Sequence, residues 1–248
     1  MSDQVAGRPS SSTSPIDLDH RRASVLVIED DASIADVLAT TLGRRNHDVE
    51  VAGSVRAARD RMAAAQFDVV LLDLGLPDGD GMELCRELRR WYRNPIVVIT
   101  AEGDEARLIE ALDAGADDYV TKPFSMPELL ARIRVALRHR SVLAAVVDPE
   151  TIAVGDLQID TGAYAAQVGG VDLDLTPKEF QILALLARNP GQLVRHETML
   201  QQVWGDGAGS HDSLRVHITK LRKKLGDGRA RPEIQTEMGV GYRLVPRD

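Results

Sequence analysis

Three short aliphatic runs and one mixed strand, each ending in a residue able to handle a metal or a phosphate, constrain this chain more than any other feature. Val25-Leu26-Val27-Ile28 ends in Glu29-Asp30-Asp31, and Val69-Val70-Leu71-Leu72 ends in Asp73. Ile96-Val97-Val98-Ile99 runs into Thr100, and Tyr119-Val120-Thr121 runs into Lys122-Pro123. Runs apolar at every position suit parallel strands covered on both faces. Open parallel sheets bind ligands beyond the carboxyl ends of their strands. These strand ends therefore predict one crevice holding acids, a hydroxyl and an ammonium.

Acids gathered this closely need a counter-charge, because two unit charges about 4 Å apart repel by roughly 4 kcal/mol at an effective dielectric near 20. Carboxylate oxygens with no softer donor nearby suit a hard divalent cation, Mg²⁺ foremost. With a hydroxyl and an ammonium added, the set describes a site for an aspartyl phosphate, a covalent intermediate that carboxylates form. A metal there would neutralise charge developing on the phosphoryl oxygens, and Lys122 and Thr100 would hold two of them. Taken singly, each residue has a structural reading: Asp73 as a turn residue, Asp31 or Ser33 as a helix cap, Thr100 as a strand end. Their joint placement at four strand ends is what points to chemistry.

Glu29-Asp30, Asp73, Thr100 and Lys122-Pro123-Phe124 resemble the receiver domain of bacterial two-component response regulators. The resemblance implies that Asp73 accepts a phosphoryl group from a sensor histidine kinase. It implies that Glu29, Asp30, Asp73 and the Gly75 carbonyl bind one Mg²⁺ per receiver. It assigns Thr100 and Tyr119 as a switch pair and Lys122 as the phosphate partner. It also allows a cis Lys122-Pro123 bond.

At 248 residues the chain suits two domains. Strands and helices alternate five times from Ser24 to about Arg140, with helices expected near 33–43, 54–65, 80–92, 103–114 and 125–140. That reads as an α/β, flavodoxin-like (βα)5 receiver over 23–140, after a Ser/Pro-rich disordered tail over 1–22 that lacks the apolar core of a signal peptide. Residues 141–149 are expected to be a linker and 150–248 a second, α+β domain. The apolar stretches are strand-length, too short to span a membrane. A lone cysteine, Cys85, on the apolar face of a helix is expected to be buried packing in a reducing, cytoplasmic setting.

The net charge is −8, yet residues 211–231 hold seven Lys/Arg against two Asp. One basic element on an acidic protein is a focused polyanion contact. Strand-like segments near 152–175 precede three helices. Thr176-Pro177-Lys178-Glu179 predicts a capped start for the first, and the third spans about 212–225. At 100° per residue Leu214, Ile218, Leu221 and Leu225 form a buried stripe. Asp212, Val216, Thr219, Lys220 and Lys223 fall opposite, flanked by Arg215, Arg222 and His217, as a major-groove helix requires. A closing hairpin turns at Gly239-Val240-Gly241 and carries Arg243 toward phosphate or minor groove.

Leu175 to Phe180, Gln202-Val203-Trp204-Gly205, Leu221 to Leu225 and Gly239 to Arg243 resemble the winged-helix DNA-binding domain of the OmpR/PhoB class. This implies double-stranded DNA and RNA polymerase as partners. It also implies phosphorylation-promoted homodimerisation through helix four, strand five and helix five, with Ile109, Leu112, Asp117, Asp118, Glu128, Ala131 and Arg132 on that face. Asp212, Met238 and Leu108 depart from residues usual in the class. Asp73 to Gly81, Ala111 to Gly115 and Leu214-Arg215 look most like Kdp-type regulators of potassium-transport operons. No turnover of an external substrate is expected. Two rivals remain: a constitutive DNA-binding protein with a vestigial receiver, and a Mg²⁺-dependent small-molecule phosphatase, the latter lacking a second acid at Gly75.

Overall fold

The computed structural model describes residues 22–101, 105–145, 150–205, 209–226 and 231–246. The N-terminal tail reading therefore lies outside the described residues, apart from Arg22. The first domain alternates β1 (Ser24–Ile28), α1 (Ala32–Gly43), β2 (Asp48–Ala52), α2 (Val55–Ala64), β3 (Val69–Asp73), α3 (Gly81–Arg89), β4 (Ile96–Ala101), α4 (Glu105–Asp113), β5 (Asp118–Lys122) and α5 (Met126–Ala145). The five strands are parallel in the order β2-β1-β3-β4-β5. The order doubles back at β1, so β1 and β3 are neighbours and their carboxyl ends open onto one crevice.

Strand alternation splits the aliphatic runs between two cores. Leu26, Ile28, Val70, Leu72, Ile96 and Val98 face Met62, Leu84, Cys85, Leu88 and Ala111 of α2, α3 and α4. Val25, Val27, Val69, Leu71, Val97 and Ile99 face Leu38, Leu42, Leu129 and Ile133 of α1 and α5. A fully buried aliphatic side chain contributes about 1.5–3 kcal/mol, so both layers hold the sheet flat against its helices. Burial pushes the Cys85 thiol up to about 11, as its packing role implies.

Helix α5 continues five residues beyond the expected boundary at Arg140. Ser141 to Ala145 contain no breaker, and the first proline after them is Pro149.

The second domain opens with an antiparallel sheet of β6 (Thr151–Val154), β7 (Leu157–Asp160), β8 (Ala165–Val168) and β9 (Val171–Asp172). The strand-like stretch from Ile152 to Ile159, expected from the sequence as one strand, is two strands here. Gly155, at φ 57°, makes the turn that divides them. Then follow α6 (Pro177–Ala187), β10 (Val194–Arg195), α7 (His196–Trp204), α8 (His211–Leu225), β11 (Glu233–Glu237) and β12 (Gly241–Val245). The last two strands form the hairpin, and β10, absent from the sequence reading, pairs with β12. Trp204, Leu186, Met199, Leu221 and Leu244 share one core.

Candidate phosphoacceptor pocket and reading helix

Asp73 closes β3 and is 7% exposed, so its carboxylate sits at the mouth of the crevice rather than in free solvent. Lys122 Nζ lies 2.7 Å from Asp73 Oδ2 and 2.8 Å from Glu29 Oε2. Carboxylate oxygens of Glu29, Asp30 and Asp73 lie within 4.8 Å of one another. Three hard oxygen donors at this spacing fit a divalent cation. Glu29 Oε2 is buried without a well-aligned hydrogen bond and so keeps coordination capacity. Burial raises the Glu29 carboxyl pKa, Lys122 pulls it down and Asp73 pushes it up. Burial works against the Lys122 ammonium, but its bonds to Asp73 and Glu29 outweigh that and raise its pKa. The lysine therefore stays charged at neutral pH and faces carboxylate oxygens of Asp73 and Glu29.

Local sequence builds the walls. Asp31 caps α1 by accepting from the Ser33 and Ile34 amides, so only two of the three consecutive acids point into the crevice. Gly75 N–H donates to Asp73 Oδ1 at 3.1 Å and orients the carboxylate. A Cβ at Gly81 would stand 2.6 Å from the Asp73 carbonyl oxygen and from Leu74 Cα, so only glycine lets α3 start this close to the end of β3. Thr100 is buried next along β4, and Lys122-Pro123 is cis.

Beyond the pocket, the expected α4-β5-α5 residues divide. Ile109 is 38% exposed, and Glu128, Ala131 and Arg132 lie at or near the surface. Leu112, Asp117 and Asp118 are buried. Arg132 pairs with Asp118 at 2.7 Å and with Glu128, while Asp117 pairs with Arg89 at 2.6 Å.

Helix α8 starts at the Ser210 cap, whose Oγ accepts from the Ser213 amide. Leu214, Ile218, Leu221 and Leu225 are buried, as the periodicity expects. Arg215, Thr219, Arg222 and Lys223 are exposed and Val216 is half-buried. Arg222 donates to the Ile234 carbonyl and Thr236 Oγ1, which ties α8 to β11. Arg243 pairs with Glu237 at 3.1 Å on the hairpin. Two residues leave the expected reading face. His217 is fully buried, 5.8 Å from the Trp204 ring, because three residues after Leu214 and four before Leu221 it widens the apolar stripe. Lys220 is half-buried, and its ammonium bonds the Leu112 carbonyl of the receiver.

Residues 25–134 match the family described as response regulator receiver domain, and residues 170–244 match transcriptional regulatory protein, C terminal. The chain is 42% identical over 224 residues to the KDP operon transcriptional regulatory protein KdpE of Escherichia coli (strain K12), covering 90% of this chain and 99% of that one. It is 41% identical over 222 residues to the transcriptional regulatory protein KdpE of Mycobacterium tuberculosis (strain CDC 1551 / Oshkosh), covering 89% and 98%. The chain is a KdpE-like response regulator of the OmpR/PhoB class. As such it is a phosphorylation-controlled DNA-binding regulator of transcription. A RitR mutant superposes with a TM-score of 0.72 at 24% identity, over 90% of this chain and 98% of that one, and shares the fold. Among the described residues no helix is long and apolar enough to cross a membrane.

Two contributors escaped sequence reading in this response regulator. Asp78 accepts from the Val55 and Arg56 amides and so caps α2 from a loop more than twenty residues away. Glu179 Oε2 accepts from the Thr176 amide and from Lys224 Nζ at 2.6 Å, joining the cap of α6 to the reading helix. The capping-box pattern signalled the first bond and nothing local signalled the second.

Proposed function

We propose that Asp73 takes its phosphoryl group from the phosphohistidine of a sensor histidine kinase. The carboxylate oxygen attacks phosphorus, the imidazole leaves, and an acyl phosphate results. One observation carries this reading: a nearly buried Asp73 held 2.7 Å from Lys122, with Glu29 and Asp30 oxygens close enough to share one cation. Mg²⁺, held by Glu29, Asp30, Asp73 and the Gly75 carbonyl, would supply charge neutralisation at the transferring group. Lys122 binds one phosphoryl oxygen and Thr100 a second, and the inward movement of Thr100 draws Tyr119 after it. The α4-β5-α5 face then pairs two copies, with Ile109, Glu128, Ala131 and Arg132 already near the surface. Two α8 helices are thereby set on DNA half-sites about one helical turn apart or in tandem, where RNA polymerase is engaged. Base and phosphate contacts come from Arg215, Val216, Thr219, Arg222 and Lys223, with Arg243 on the hairpin. The KdpE relatives support a potassium-transport operon as the target, in the cytoplasm, and loss of the chain's own phosphoryl group would be its sole hydrolysis.

The test is acetyl phosphate with Mg²⁺, followed by intact-mass analysis and hydroxylamine. One hydroxylamine-labile phosphoryl group, absent in Asp73→Ala and reduced in Asp30→Asn, is expected. A stable adduct, or one that persists in Asp73→Ala, refutes the assignment.

A further inference from the structure

We propose that His196 and His211 seat the DNA backbone phosphate that passes between the reading helix and the hairpin, and that protons taken up there couple DNA binding to pH. This rests on the proposed placement of α8 in the major groove. A helix in the major groove and a hairpin on the adjoining minor groove straddle the one phosphate backbone that separates the two. Side chains standing where α7, α8 and the hairpin meet therefore face phosphate. His196 opens α7 and His211 opens α8, and their rings are nearly perpendicular, with centroids 5.4 Å apart. The His196 amide donates to the Val240 carbonyl at 2.9 Å, which fixes α7 against the turn of the hairpin. Just after that turn, a Cβ at Gly241 would overlap the Val194 carbonyl oxygen, so only glycine lets β12 lie this close to the start of α7. The buried Tyr242 ring, 5.2 Å from His196, floors the cluster. His211 is exposed and His196 half-buried, and among the described residues neither imidazole holds a hydrogen bond or an ion pair.

An imidazole changes charge between about pH 5 and 8, whereas backbone phosphate stays anionic across that range. Two protonated rings side by side repel, and a phosphate accepting from both removes that penalty. Binding then draws protons from solution, and affinity rises as the pH falls. The other charged neighbours supply no such change. On α8 Asp212 pairs with Arg215 at 3.7 Å, and on the hairpin Glu237 pairs with Arg243 at 3.1 Å. Arg195 and Glu197 flank His196 along the chain. Carboxylates titrate well below this range and arginines well above it. Burial raises the Tyr242 pKa against the pull of Arg222 and Arg215, so the phenol stays neutral. The sign also separates the pair from His217, which stays neutral when folded, so that acid weakens the domain and would loosen its hold on DNA.

The test titrates fluorescent mixed-sequence duplex DNA with the unphosphorylated full chain at fixed low salt. The wild type should bind about fivefold more tightly near pH 6 than near pH 8. Its log–log salt slope should steepen by about 0.9 at the lower pH, because one phosphate contact becomes charged. Replacing both rings, His196→Gln with His211→Gln, should abolish the tightening and the change of slope. His196→Arg, a fixed cation, should bind near pH 8 as the wild type binds near pH 6, a rescue that a merely structural histidine would not give. Wild-type affinity independent of pH overturns the proposal without recourse to any variant, and so does a pH dependence that survives in the double variant. Lys223→Ala tests the placement of α8 separately, near pH 8. An unchanged salt slope there, with the histidine linkage intact, withdraws α8 and supports the pair as a phosphate contact. A lowered slope there, with both histidines inert, overturns the pair alone.

Discussion

His217 makes the DNA-binding domain acid-sensitive by an amount that follows from its burial. The ring is fully enclosed, and burial holds its pKa well below the ordinary 6.5, with Lys220, Lys178 and Lys224 pushing the same way and the Asp117 backbone opposing. The folded chain therefore refuses a proton that the unfolded chain accepts. Stability from this group is intact above pH 6.5 and falls as pH drops below it, because the unfolded state then binds more protons. Between about pH 7.5 and 5.5 a histidine with an unfolded value near 6.5 that stays neutral when folded costs about 1.4 kcal/mol. Trp204 reports the event, since it is buried 5.8 Å from His217, while the other tryptophan, Trp91, is half-exposed on the receiver. Urea titrations followed by tryptophan fluorescence at both pH values should show the loss in the wild type. In His217→Leu the loss should shrink by that amount, because the variant has no imidazole left to take up a proton on unfolding. An equal loss in both proteins would refute the reasoning. The half-buried His47, also lowered by burial, sits in the receiver and adds the same background to each.

Gly81→Ala should destabilise the receiver by about 1–3 kcal/mol, since the new Cβ meets backbone that cannot yield; a midpoint in urea unchanged from wild type would contradict the close approach. Arg89→Ala strips the partner from Asp117, whose side chain is 2% exposed, and should cost about 3–5 kcal/mol in the same titration. A loss under about 1 kcal/mol would mean the pair is solvated. Lys223→Ala should lower the log–log salt slope of DNA binding by about 0.9 if it meets one phosphate, and an unchanged slope removes it from the interface.

The pocket was legible because parallel strands deliver their ends to one edge, so Glu29, Asp30, Asp73, Thr100 and Lys122 could be gathered by reading apolar runs alone. The helix starts at Asp31 and Thr176 were legible because caps are local chemistry. Partners far apart in sequence were not. Arg89 reaches the Gly115, Tyr92 and Asn94 carbonyls as well as Asp117, and no periodicity foretells a guanidinium shared by four acceptors. His217 and Lys220 were misplaced because a helical wheel separates apolar from polar positions but cannot say that a polar flank will meet another domain.

The cations of α8 are mostly occupied at home. Lys224 is held by Glu179, Arg222 by β11 and Lys220 by Leu112. Among the described residues of the helix, Arg215 and Lys223 are left facing outward. A module with so few loose charges grips a polyanion weakly on its own, displacing few counterions, and gains little from random encounters along the genome. Under the proposed pairing, occupancy would come from joining two modules on one site, where the second lands at high effective concentration. Control over pairing would then be control over the promoter, and a modest shift in partnership would be amplified into a near-complete change in who sits on the DNA.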